Sequence, residues 1–175
     1  MRIIILLFIL SIFVFSNSLS LLELYKKKQY LYICHKRWRY INKYANNEEL
    51  LFLVASSCLK NGYIIPALDV SKVLKKTKKG RKNATYIATL FLMKKLIIQI
   101  IEDNLDVSSI KLPLIKDHIL GQIYNQIQNS NFKLENNKLI VKINKKVFEV
   151  SLNKEKNLLI KIFVNNKLIA EKSIW

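Results

Sequence analysis

The sequence predicts an α+β protein. It divides into an N-terminal targeting segment over residues 1–20, antiparallel helical hairpins over 21–128 with about five to six helices, and an antiparallel β-meander of about three to four strands over 132–175. Three observations carry this reading. An apolar run from Ile3 to Phe15, interrupted only by Ser11, follows Arg2. Apolar residues then recur at helical spacing as far as Gln128. From Phe132 onward the apolar period shortens from roughly 3.6 to roughly 2.

The first run is too short to cross a bilayer core, which takes about 20 apolar residues in a helix. With Arg2 before it and Ser16, Ser18 and Ser20 after it, it fits a secretory signal cleaved after Ser18 or Ser20. Leu19, Leu21 and Leu22 lengthen the run, so the competing expectation is an uncleaved inner-membrane anchor. Either way the remainder faces an extracytoplasmic space, periplasmic in a Gram-negative-type cell.

Helical periodicity extends from Leu19 to about Tyr44, with a break at Lys28-Gln29, and again from Glu48 to about Lys76, with a break at Asn61-Gly62. Glu48 and Glu49 follow Asn46-Asn47 and suit the first turn of a helix, where the dipole favours acids. Overlaying the two stretches at an offset of about 34 residues puts Leu21 on Ala55, Leu24 on Cys58, Lys28 on Gly62, Ile33 on Ala67 and Tyr40 on Leu74. A further step puts Phe52 on Tyr86, Ala55 on Thr89 and Cys58 on Leu92, which predicts a third, longer helix over Asn83 to Asp103. Glu102, Asp103 and Asp106 end that helix.

In its spacing and small-residue positions, the stretch from about Ser20 to Asn104 resembles the tetratricopeptide-like (TPR-like) helical-repeat family. The best-matching unit is ELLFLVASSCLKNGYIIPALDVSKVL, with Ala55 at the small packing position of its first helix, Gly62 at its turn and Ala67 at the small position of its second. The first unit departs from the pattern, with Lys28 at the turn and Ile33 in place of the small residue, and no Pro closes either unit. The resemblance implies a protein partner held in the concave face of a short repeat stack.

Leu105 to Leu112 reads as a linker. Pro113 to Gln128 reads as one amphipathic helix, because Pro suits a first helical position and Leu114, Ile115, Ile119, Ile123 and Ile127 follow at helical spacing. Beyond Asn129-Ser130-Asn131 come four short runs, KLIVKIN, KVFEVSL, NLLIKIFV and KLIAEKSIW. Asn165-Asn166 between the last two suits a two-residue hairpin, since Asn tolerates positive φ. Lys142 and Lys161 alternate with Ile and Val, which predicts one wet face and one face against the helices. Lysines along an edge strand guard it from unwanted pairing, although an open edge can also take a partner's strand.

The chemistry-bearing residues are few. Asn46 lies midway between Cys34 and Cys58, so in a helical hairpin the two stand at one level. They form either a disulfide, as an oxidising compartment allows, or two buried thiols in small packing slots. His35 and His118 each lack a second ligand at metal spacing, and Asp117 and His118 diverge on a helix by roughly 100°. With no Cys-x-x-Cys, Gly-rich phosphate loop, nucleophile motif or paired carboxylates, the sequence predicts a non-enzymatic protein without metal or cofactor.

Charge is the strongest remaining signal: 30 Lys and Arg oppose 12 Asp and Glu, a net +18. Lys26, Lys27, Lys28, Lys36, Arg37 and Arg39 interleave with Tyr25, Tyr30, Tyr32, Trp38 and Tyr40. Lys75, Lys76, Lys78, Lys79, Arg81 and Lys82 surround Gly80, read as a turn. Such clusters attract anionic lipid headgroups, acidic envelope polymer or an acidic protein. Heavy use of Lys, Ile and Asn with scarce Gly and Pro offers compositional drift on solvated faces as the plainer account. Basic and aromatic residues together also suit single-stranded nucleic acid, but export argues against that partner. The expectation is therefore an envelope scaffold that docks another envelope protein, with a basic peripheral protein on an anionic membrane surface or polymer as the alternative.

Overall fold

The computed structural model describes residues 20–175, so the expected targeting segment lies outside the described residues apart from Ser20. Ser20 caps the first helix, α1 (Leu21–Lys26). Its hydroxyl accepts from the Glu23 N–H at 3.3 Å while the Glu23 carboxylate accepts from the Ser20 N–H at 2.7 Å. Two orphan donors are satisfied at once by this reciprocal capping box.

The helical part continues with α2 (Tyr30–His35), α3 (Arg37–Lys43), α4 (Glu48–Lys60), α5 (Ile64–Ser71), α6 (Lys78–Asp103) and α7 (Ile119–Gln128). Both expected breaks are present and share one geometry. At the end of α1, Lys28 takes φ 57°, its N–H donates to Tyr25 O, and the Gln29 N–H donates to Leu24 O. At the end of α4, Gly62 takes φ 77°, its N–H donates to Leu59 O, and the Tyr63 N–H donates to Cys58 O. These are the two bonds of a Schellman ending. A further interruption at Lys36, between α2 and α3, is marked by neither Gly nor Pro.

Three helical expectations are corrected. The long helix starts at Lys78, ahead of Asn83, because the Thr77 hydroxyl accepts the Gly80 N–H at 2.9 Å and caps it. Gly80 is therefore not a turn but a residue in the first turn of α6. Pro113 does not open a helix: residues 113–118 form no regular element, and α7 begins only after His118, whose Nδ1 accepts the Leu120 N–H at 3.2 Å. The preceding segment is held along the helix by Asn125 Nδ2 donating to Ile115 O at 3.0 Å and Gln122 Nε2 donating to Lys116 O at 2.8 Å.

The sheet has five antiparallel strands in sequential order: β1 (Phe132–Glu135), β2 (Lys138–Ile143), β3 (Lys146–Leu152), β4 (Leu158–Val164) and β5 (Lys167–Ile174). The unexpected strand is β1, joined to β2 through Asn136-Asn137 at φ 50° and 57°. Asn165-Asn166 likewise takes φ 48° and 62° in the β4–β5 hairpin, as the Asn-Asn dipeptide suggested. Leu139, Val141, Phe148, Val150, Leu158 and Ile160 are buried against the helices, chiefly α7 on β2. On the opposite face Glu149 receives Lys138 at 3.1 Å, and Lys161 approaches Glu171 at 3.9 Å.

Helices and sheet share one apolar core in which Leu51, Val54, Ile64, Leu90, Met93, Ile97, Leu120 and Ile123 are buried. Among the described residues α6 is long and apolar enough to cross a membrane, but half of that window is buried inside this core. The helical part and the sheet are also joined through the backbone. The Trp175 N–H donates to Gly62 O at 2.8 Å, and the Ile64 N–H donates to Trp175 O at 3.0 Å.

Candidate functional site: a basic cleft between helices and edge strand

The residues singled out by sequence fall into two groups, packing and surface. Ala55 and Ala67 are buried in α4 and α5, and Gly62 is buried at the turn between them. Cys34 and Cys58 are buried with their sulfurs at bonding distance and their Cα atoms 4.9 Å apart, tying α2 to α4. Of the two cysteine alternatives, the disulfide geometry is the one present. Tyr40 is buried and stacks on Tyr44 with ring centroids 6.1 Å apart, whereas Tyr32 and Trp38 are exposed.

The two basic clusters separate into structural and solvated members. Arg37 pairs with Asp69 at 3.3 Å and lies over the Trp38 ring at 5.2 Å. Lys76 Nζ donates to Asn46 Oδ1 at 2.5 Å, Lys79 pairs with Glu49 at 2.7 Å, and Arg81 donates to the carbonyls of Lys75 and Lys76 at 3.2 and 3.0 Å. These four side chains have partners on neighbouring residues or elements, though Lys76, Lys79 and Arg81 are themselves exposed. Lys26, Lys27, Lys28, Lys36, Arg39, Lys75, Lys78 and Lys82 are exposed.

Glu48 is the acid that organises the second cluster, a role beyond the first-turn placement expected of it. It is only 6% exposed, and its carboxylate accepts from Lys76 N at 2.7 Å, Thr77 N at 2.8 Å and Thr77 Oγ1 at 2.5 Å. The Thr77 hydroxyl bond, foremost, and the backbone bonds hold its pKa down to about 2. A side chain at Gly80 would occupy the space of this carboxylate, so glycine is required there by approach rather than by dihedral.

A concavity opens elsewhere. A cleft of about 680 Å³ lies between α4, the first turns of α6, the segment before α7, and β5. Phe52, Ser56 and Leu59 form one wall, Asn83 and Tyr86 a second, and Asp117-His118 with Ile119 the floor beside Lys172 to Ile174. Lys60, Lys82 and Lys172 stand around it from three different elements. Lys60 is steadied over the Tyr30 ring at 5.2 Å.

The electrostatics of the cleft follow from this placement. Burial, and then the neighbouring Asp117 carboxylate, push the Tyr86 hydroxyl well above its ordinary range and keep it protonated. Burial, against the opposing pull of the Asp117 carboxylate and with a smaller push from Lys172, holds the His118 imidazole down to about 4. His118 is thus neutral at pH 7, consistent with its Nδ1 accepting a backbone N–H. Asp117 is the acidic residue lining a cleft that carries three ammonium groups.

Of the cleft lysines only Lys82 belongs to the clusters picked out by sequence. Lys172 had a readable signal: Ala170, Lys172 and Ile174 alternate on β5, and Ile174 is buried, so Lys172 occupies the inward set of an edge strand. Asp117-His118 were read as divergent helix neighbours, but they lie ahead of the helix, with His118 as its cap. Among the described residues no group of His, Cys, Asp and Glu is placed to hold a metal ion. Comparison with protein-family profiles, with curated proteins and with solved structures finds nothing similar to this chain.

Proposed function

We propose that the protein is an exported, non-catalytic scaffold that docks another envelope protein in the cleft between α4, α6 and β5. The observation that carries the reading is the cleft itself, to which four separate elements contribute both apolar and polar groups. Such concave, mixed surfaces suit recognition of a partner. The Cys34–Cys58 pair fits an oxidising compartment and stiffens the helical wall. Within this proposal α1/α2 and α4/α5 are two TPR-like hairpins. Their support is the matched pair of Schellman endings at Lys28 and Gly62 and the burial of Leu21, Leu24, Ile33 and Tyr40 at the positions equivalent to Ala55, Cys58, Ala67 and Leu74.

The test is affinity capture of the tagged protein from gently solubilised envelopes, with low-salt and then high-salt washes, beside a variant whose cleft is filled by Ser56→Trp and Asn83→Trp. A stoichiometric protein that survives high salt on the native chain and is lost from the filled variant supports the scaffold. Retention of lipid or polymer alone, released by salt, favours instead a basic protein on an anionic surface and removes the scaffold reading.

A further inference from the structure

We infer that the segment of the partner seated in the cleft is an acidic stretch of polypeptide whose carboxylates meet Lys60, Lys82 and Lys172. This rests on the scaffold reading and adds the chemistry of the occupant. The first argument is charge complementarity. Lysines from α4, α6 and β5 line one concavity in which, among the described residues, Asp117 is the one acid, and it is already engaged beside the Tyr86 hydroxyl. His118 is neutral and adds no positive charge of its own. An occupant without negative charge would leave these three like charges around the cleft uncompensated.

The second argument comes from β5, an edge strand of the sheet whose end lies on the Gly62 turn. Trp175 turns its main-chain N–H and C=O away from β4 toward Gly62 and Ile64. Alternate residues of a strand direct these groups to the same side, so those of Glu171 and Ser173 also face the edge. The edge is guarded in two ways. The register slips at Ile162/Phe163, leaving Ile169 as the extra residue of a bulge, and Lys172 sits in the inward set. Both devices repel a neutral apolar strand. An inward lysine does the opposite for an acidic chain, so one residue both rejects wrong strands and selects the right one.

The third argument is the remaining lining. Phe52, Leu59 and Ile119 give the cleft apolar ground between its charges, while Asn83 and the Ser56 hydroxyl, which also meets the Tyr25 hydroxyl at 3.2 Å, can hydrogen-bond a peptide backbone. A bare inorganic anion would leave the apolar wall uncovered; a polypeptide with acidic and apolar residues in alternation covers both.

The experiment uses the full chain in mild detergent and follows fluorescence polarisation of a labelled peptide alternating Glu and Val, beside its Gln and Val counterpart. Unlabelled heparin and vesicles of mixed phosphatidylcholine and phosphatidylglycerol serve as competitors. The cleft variant carries Lys60→Gln, Lys82→Gln and Lys172→Gln; the control carries Lys142→Gln, Lys145→Gln and Lys146→Gln at the β2–β3 turn, which removes equal charge. Circular dichroism of both variants checks that they fold.

The acidic peptide is expected to lose about tenfold in affinity on the cleft variant and less than about twofold on the control, with the Gln peptide weaker on the native chain. Equal losses on both variants, or no preference for the acidic peptide, would overturn the inference. So would displacement by heparin or vesicles that bind more tightly with the same lysine dependence, which would assign the cleft to a polyanion or a membrane. If the captured partner depends on Ser56 and Asn83 but not on the three lysines, the scaffold stands and the acidic occupant falls.

Discussion

The turns at Lys28 and Gly62 have the same backbone and opposite tolerance for a side chain. Each closes a helix with the same pair of bonds, at φ 57° and 77°. Lys28 is exposed, so it bears only the modest cost of a left-handed conformation. Gly62 is buried, and a Cβ there would collide with the Ser173 carbonyl at the end of β5. The geometry of the turn therefore does not explain why one position is glycine; the strand lying on it does. A residue that resembles a repeat-turn glycine in the sequence is, in the fold, the point where the sheet meets the helices.

The comparison is broken most forcefully by Gly62→Ala. It should cost about 4 kcal/mol, the left-handed penalty and the forced displacement of β5 together, measured by urea unfolding. A loss near 1 kcal/mol would mean that β5 does not press on the turn. Next comes the tie between α2 and α4. Reducing Cys34–Cys58, or replacing both by Ser, should cost about 3 kcal/mol in the chain-entropy account, read from the same unfolding curves with and without reductant.

Helix α4 is also tied to α6 through Glu48, and here pH is the probe. Its folded pKa, about 2, lies below the unfolded value near 4.5. Its contribution is thus fully present above about pH 4.5 and is lost as pH falls through about 2. Glu48→Gln should lower Tm at pH 7 by less than disulfide removal does, and the gap from the native chain should narrow over that window. A gap independent of pH would mean that the carboxylate's charge is irrelevant. The smallest effect, and one of opposite sign, is Lys28→Gly, which should stabilise by about 0.5–1 kcal/mol by relieving the left-handed strain. A loss instead would show that the Lys28 side chain contributes a contact that Gly62 lacks.

Local signals in the sequence located several turns well and long-range packing poorly. The helix breaks at Lys28 and Gly62 and the β4–β5 turn at Asn165-Asn166 were legible because each depends on a few neighbouring residues. β1 was not, since FKLE is short, half charged and without a β-branched residue, although Asn136-Asn137 after it carried the same turn signal as Asn165-Asn166. Pro113 misled because helical spacing continues through a segment that is tied to the side of α7 by Asn125 and Gln122. The cleft was the least legible feature. Lys60, Asp117 and Lys172 are far apart in the chain, and only the packing of β5 against the Gly62 turn brings them together.

That packing also orders events in time. The Gly62 turn is synthesised well before β5, so while the chain is being made its left-handed glycine and the open Ile64 N–H face water. Closing so long a loop adds entropy cost and slows folding. Until Trp175 docks, the wall of the cleft made by Lys172 to Ile174 is missing. The concavity is thus a product of that long-range contact and not of the helices alone.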